Sequence, residues 1–245
     1  MRIALLSDIH GNLAALEAVV ADLSSRGVDR IVNLGDLVSG PLLPLETARY
    51  LRAEDWLTIA GNHERQLLTL EAGERGASDE YAHSCLTQKE LDWFRSFPAS
   101  LELDPEIFLC HGTPDDDNRY FLEAVVGTSA QLASPGEIEE RLAGQTSAVV
   151  ACGHTHVPRS VRNARGQLLV NPGSVGLPAF FHDDPTHHSV QNGSPDARYA
   201  ILEKGPGGWT AMHITVPYDH RSMAALARER GRPDWERALL TGFVE

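Results

Sequence analysis

Residues Leu5 to Asn12 read LLSDIHGN, and the reading of this stretch decides the fold. Apolar residues lead into Asp8 and His10, two positions apart, before the chain turns through Gly11 and Asn12. A short apolar run closed by turn residues is the pattern of a buried strand, so two polar side chains stand at a strand's carboxyl end. The segment that follows carries Leu13, Leu16, Val19 or Val20, and Leu23 at helical spacing, with Asn12 as N-cap and Gly27 as C-cap. A second apolar run, DRIVNLG, comes next. Strand, helix and strand make a β-α-β unit, and the expected class is α/β.

The same event recurs along the chain. Further apolar runs, WLTIAGN, EIFLCHG, SAVVACGH and GQLLVNPG, are each closed by Gly, Asn or His. The second strand ends in Gly35-Asp36, the third in GNHE (Gly61 to Glu64), a later one in Cys110-His111-Gly112 and the next in GHTH (Gly153 to His156). In α/β sheets the carboxyl ends of the strands form the crevice where ligands bind, so side chains far apart in sequence can aim at one point. Collected, the candidates are Asp8, His10, Asp36, Asn62, His111, His154 and His156. Oxygen and imidazole donors without thiolate suit Mn, with Fe, Zn, Co or Ni as alternatives, rather than a structural thiolate zinc site.

Seven side chains exceed what one ion uses once positions are kept open for catalysis. Two ions sharing a carboxylate would use them all, and Asp36, with two oxygens, is the natural bridge. Two divalent ions carry a formal +4 and Asp8 and Asp36 return −2, a local surplus that suits an anionic phosphate ester. Ions about 3.5–4 Å apart clamp the attacking and leaving oxygens and lower the pKa of a bridging water. The expected nucleophile is therefore a metal-bridging hydroxide attacking phosphorus in line. Taken singly, Asp-x-His at a strand end is an ordinary turn and Gly-Asp carries almost no information; the specificity lies in five pieces in order, each at a strand end.

Composition bounds the partners. With 21 Lys plus Arg against 34 Asp plus Glu, the net charge is −13, which repels nucleic-acid backbones and anionic membranes at long range. A small phosphate ester is expected as substrate, with no long nucleic acid and no membrane; homo-oligomerisation is left open. At 245 residues with 42% hydrophobic content the chain can bury a large core, and one domain spanning 1–245 is the default, with motifs over 8–178 and strands and helices of 198–245 completing it. Cys85, Cys110 and Cys152 form an odd, sparse set without a disulfide framework, and the apolar run of MRIALL stops at Asp8, too short for a signal or spanning segment. Both point to the cytoplasm.

The ordered set D-x-H, GD, GNHE, HG and GHTH resembles the calcineurin-like metallophosphoesterase superfamily, and NPGSVGLP (Asn171 to Pro178) resembles a segment of its small bacterial and archaeal phosphodiesterase branch. The resemblance implies a four-layer αββα sandwich of two mixed sheets flanked by helices, with a dinuclear site at one edge. It implies one ion on Asp8, His10, Asp36 and His156, and another on Asp36, Asn62, His111 and His154. His63, next to Asn62, resembles the histidine that contacts the phosphate and assists the leaving group. Non-enzymatic relatives that serve as scaffolds typically carry substituted ligands, whereas here no motif residue is missing. Protein Ser/Thr phosphatases usually carry an Arg shortly after the bridging Asp and another before GNH; GDLVSG and LTIAGNHE lack both. That phosphatase or a diadenosine-tetraphosphate hydrolase remains the alternative activity, and a metal-loaded scaffold the alternative class.

Beyond the ligands the residues say less. Arg119, Tyr120 and Ser174 are candidate substrate contacts, Glu64 and Arg65 either orient His63, touch substrate or form a solvated helical turn, and Asp115, Asp116 and Asp117 read as caps of a following helix. TQKELDWF and SPGEIEERL carry capping-box spacings, Arg221 to Arg230 and Pro233 to Leu240 read as helices, and Asn163–Gly166 and Gly205–Gly208 as hairpin turns. Residues 180 to 196, with His182, His187 and His188, read as a surface loop. Cys110 and Cys152 read as small core residues, and His83, His213 and His220 have no assigned role.

Overall fold

The computed structural model describes residues 1–244. Three strands, β1 (Arg2–Leu6), β2 (Arg30–Asn33) and β3 (Leu57–Thr58), run parallel, and α1 (Leu13–Leu23) crosses between the first two. Asn12 caps α1 by accepting the Ala15 N–H at 3.2 Å. The helix stops at Leu23, four residues before the expected Gly27 cap.

β1 explains the layering. Ile3 and Leu5 point into one core and Ala4 and Leu6 into another, the two-residue period of a strand buried on both faces. The long hairpin β13 (Ala197–Gly205) and β14 (Gly208–Val216) adds antiparallel strands beside β1, giving the sheet order β14-β13-β1-β2-β3. A second five-stranded sheet contains β4 (Leu101–Asp104), β5 (Ile107–Leu109), β8 (Val149–Ala151), β9 (Arg159–Arg162) and β10 (Leu168–Asn171), in the order β4-β5-β8-β10-β9. Ile107, Leu109, Val149, Ala151 and Val170 meet Ile3, Leu5, Val32 and Leu34 between the sheets. Outside the first sheet lie α1, α2 (Pro44–Ala53), α3 (Asn62–Thr69), α4 (Ala77–Cys85) and α5 (Gln88–Phe94), and outside the second lies α6 (Pro135–Arg141), whose Ile138 packs with Cys110, Val150 and Cys152. The four layers expected from the sequence are present.

Two local expectations change. A third sheet, β11-β12-β7-β6, is built from β6 (Glu123–Val126), β7 (Ser129–Leu132), β11 (Ala179–His182) and β12 (His188–Gln191). Residues 180 to 196 are thus not a plain surface loop: β11 and β12 pair antiparallel, and His188 is fully buried. A polar sequence concealed them because β12 buries His188, Ser189 and Val190 rather than an alternating apolar face. No helix follows Asp115 to Asp117; Asp115 accepts the Thr113 hydroxyl and Asp117 holds Arg65 bidentately at 2.7 and 2.6 Å, fixing turns that lead to β6. The chain closes with α7 (His220–Glu229) and α8 (Pro233–Thr241), which bury Met223, Trp235 and Leu239 against Leu42, Leu177 and Ala179. No helix among the described residues is long and apolar enough to cross a membrane.

Candidate metal centre

Five of the seven candidate ligands sit on a backbone kink just past a strand end. Asp8, His10, Asp36, His154 and His156 all have positive φ, between 53° and 67°, five of the six non-glycine residues in that region among those described. A left-handed backbone at a non-glycine residue is costly and clusters at functional sites. Space is set with equal care: a Cβ on Gly61 would lie 2.2 Å from Asp36 Oδ1, and one on Gly176 would lie 1.7 Å from the Ile9 carbonyl. Gly176 belongs to the NPGSVG segment, which straps the two ligand loops together. Ser174 Oγ donates to the Asp8 carbonyl at 2.7 Å and accepts the Leu177 N–H, while Asn171 donates to the Gly153 carbonyl at 2.7 Å.

The ligands fall into two buried groups, Asp8 with His10 and His156, and Asp36 with His111 and His154. Asn62 joins the second, its Oδ1 lying 3.0 Å from His111 Nε2. Asp36 faces both groups, with Oδ2 at 3.1 Å from His111 Nε2 and 4.0 Å from His10 Nε2. His10, His111 and His156 each donate Nδ1–H at 2.7 Å to a backbone carbonyl, of Ser39, Leu34 and Leu177, which turns Nε2 toward the centre. His154 is reversed: Nε2 donates to the Asn118 carbonyl at 2.9 Å, leaving Nδ1 free.

These donors fit divalent cations. His10 and His156 bring their Nε2 atoms to 3.0 Å, and Asp8 Oδ1, 3.4 Å from His156 Nε2, is buried with no hydrogen-bond partner. Lone pairs facing one another and an orphaned carboxylate oxygen are unfavourable unless a cation lies among them. Burial and His156 push His10 down to about 4, and burial and His111 push His154 down to about 3, so both rings are neutral donors. Burial would lower His111 too, but Asp36 and Asp8 outweigh it and lift it to about 10. A cation held by these donors would compete with a proton on His111.

His63 lies beside the ligands. Its N–H donates to Asp36 Oδ1 at 3.0 Å, its Nδ1 meets Asp79 Oδ1 at 2.8 Å, and its Nε2 is 3.9 Å from Asp36 Oδ2. Burial lowers its affinity for a proton, but Asp36 and Asp79 prevail and hold it at about 9. Asp79, in the first turn of α4, gave no sequence signal, since an acid there reads as a helix-end charge; only the packing of α3 on α4 brings it to His63.

Glu64 is neither a solvated turn nor a substrate contact. Its carboxylate is fully buried and accepts the N–H groups of Asp36 and Leu37 at 2.8 Å and of Gly61 at 2.9 Å, stapling the Gly-Asp and GNHE loops together. Burial and Asp36 push it up to about 7, against those three donors. Glu64→Gln puts an amide NH₂ against backbone N–H groups, and we expect a loss of about 2 kcal/mol in unfolding free energy, read as a lower denaturant midpoint. An unchanged midpoint would show that the staple holds nothing.

The three candidate substrate contacts lie elsewhere than the ligands. Arg119 pairs with Glu140 at 2.9 Å on an exposed face. Tyr120 donates to His188 Nε2 or accepts from it at 3.0 Å and sets its ring edge on His154 at 5.3 Å, behind the ligand rather than in front. Ser174, buried, is spent on the strap described above. In front of the ligands lies a cavity of about 270 Å³ whose walls include His63, Phe180, Phe181, Arg232 and Trp235, the last two from the carboxyl-terminal helical pair.

Comparison with known proteins gives the family. The calcineurin-like phosphoesterase superfamily domain matches residues 1–191, and the chain belongs to that superfamily. A metallophosphoesterase from Sphaerobacter thermophilus superposes with a TM-score of 0.75 at 25% identity, covering 99% of both chains. A hypothetical protein from Pyrococcus horikoshii superposes with a TM-score of 0.74 at 18% identity over 98% of both. An uncharacterized protein of Methanocaldococcus jannaschii is 27% identical over 256 residues, covering 95% of this chain and 94% of its own.

Proposed function

We propose that the protein is a metal-dependent phosphodiesterase acting on small phosphate esters, with Mn the favoured metal. The observation that carries this reading is the pair of adjacent, buried ligand groups with Asp36 facing both and His63 alongside. Asp8, His10, Asp36 and His156 would hold one ion and Asp36, Asn62, His111 and His154 the other. Bound there, the cations supply Lewis acidity toward a phosphoryl oxygen and a water of lowered pKa.

The chain's own residues do the rest. The carbonyls of Ser39, Leu34 and Leu177 fix the ring orientation of three ligands. His63, oriented through Nδ1 by Asp79, presents Nε2 to the cavity; as water oxygen joins phosphorus, its proton passing to solvent, and the ester P–O bond breaks, the departing oxygen takes the Nε2 proton. A cavity of about 270 Å³ is just below the roughly 300–1,000 Å³ of small-molecule sites, which favours a compact ester over a polymer. The charge of −13 supports the same choice, and the scarcity of cationic groups on the cavity wall disfavours a dinucleoside polyphosphate.

The test is release of nitrophenolate from bis(p-nitrophenyl) phosphate by Mn-loaded protein, abolished by a chelator and restored by added Mn, at a higher kcat/KM than for the nitrophenyl monoester. No release across metals, mono- and diesters would put the scaffold reading first.

A further inference from the structure

Arg232 and Asp234 form an ion pair on the cavity wall, outside the metal centre and His63. Nε and Nη2 of Arg232 bond Asp234 at 3.0 and 2.7 Å, and Nη1 donates to Ser78 Oγ at 3.0 Å, while the guanidinium lies 5.7 Å from the Trp235 ring. Trp235 is buried and is itself seated by contact: its indole edge-packs on ligand His10 at 6.1 Å, and a Cβ on Gly40 would meet it at 2.5 Å. The guanidinium is therefore held rigidly, with one N–H each of Nη1 and Nη2 left over. As a stabilising device a half-exposed pair of this kind contributes little.

The opposite character comes from β11. Phe180 packs on ligand His156 at 4.6 Å, and the next residue, Phe181, lines the cavity while remaining 42% exposed, its ring stacked on His187 at 5.1 Å and 22°. An exposed phenylalanine on a pocket wall offers a flat apolar face for stacking.

The chemistry of these groups selects a ligand. Arg232 is the one Arg or Lys side chain on the cavity wall and Asp234 neutralises it, so this end of the cavity has no charge to spare for a second phosphate. It offers instead a donor beside an acceptor, in the same cavity that Phe181 lines, which together complement the edge and face of an uncharged heteroaromatic ring. We propose that Phe181 and the Arg232–Asp234 pair form a subsite for the outer ester group of the substrate, and that this group is nucleoside-like. The proposal rests on the phosphodiesterase reading for its chemistry but not for its binding.

Two measurements separate them. Calorimetry on the Mn-loaded full chain compares thymidine 5′-monophosphate with methyl phosphate, and kinetics compare thymidine 5′-(p-nitrophenyl phosphate) with methyl p-nitrophenyl phosphate, which share a leaving group. The expected preference for the thymidine ligand is about tenfold or more, falling about tenfold in Phe181→Ala and in Asp234→Asn, with Arg232→Ala checked for folding by its melting curve. Phe181 is on a surface strand, so its variant remains informative even where Arg232→Ala unfolds. A thymidine preference in binding without hydrolysis of either ester sustains the subsite and overturns the enzymatic reading. Hydrolysis of both esters with a preference below twofold, or one that neither Phe181→Ala nor Asp234→Asn reduces, overturns the subsite and leaves the enzyme standing.

Discussion

Asp36→Asn is expected to lower kcat/KM by about 10³-fold or more and to reduce bound metal by at least one ion per chain. The substitution keeps the shape of the side chain, and Asn tolerates the left-handed backbone that Asp36 adopts at φ 58°, so the fold is retained. What it removes is the charge that faces both ligand groups, at 3.1 Å from His111 and 4.0 Å from His10. Losing one preorganised electrostatic group in a buried site typically costs about 10²–10³ in rate, and a group shared by two ions should exceed that. Elemental analysis of the purified variant alongside the diester assay checks both halves. A variant with full metal content and activity within tenfold of the parent would remove Asp36 from its bridging place.

His63→Ala is expected to keep the metal and lose about 10²–10⁴ of kcat, the usual contribution of a positioned proton donor. The loss should grow as the leaving group worsens, because nitrophenolate departs without a proton and an alkoxide does not. Asp79→Asn should show the same dependence at about a tenth of the size, since it acts only by orienting and charging His63 through the 2.8 Å contact with Nδ1. An emptied metal site in His63→Ala would mean that the histidine is a ligand after all. A uniform loss across good and poor leaving groups would mean that it positions the phosphate rather than protonating the departing oxygen.

The candidate ligands were legible in the sequence because strand ends punctuate it. A short apolar run followed by Gly and a donor residue is a local pattern, and five of them in order could be read before any geometry was known. The two-sheet core was legible for the same reason, through runs such as RIALL and VVA. What could not be read depends on contacts between distant segments. Asp79 gains meaning only when α4 docks beside α3, and Glu64 only when two loops bring three N–H groups to one carboxylate. The β11–β12 pair escaped because β12 buries consecutive polar residues, so no two-residue period betrays it. Trp235 sits in a helix whose sequence reads as ordinary amphipathic cover, with Arg232 at its N-cap, and nothing local says that this end of the helix walls the cavity.

The left-handed kinks at Asp8, His10, Asp36, His154 and His156 constrain how this chain can change. Each holds a conformation that glycine accepts freely and that Asn or Asp accepts at modest penalty, but that β-branched residues resist. A descendant that gave up the ions would gain backbone stability by drifting to glycine or asparagine at these places, and would be closed to Val, Ile or Thr there. On the proposed function, loss of catalysis in this chain would leave a recognisable molecular scar, candidate ligand positions turned to small flexible residues while the loops around them keep their course.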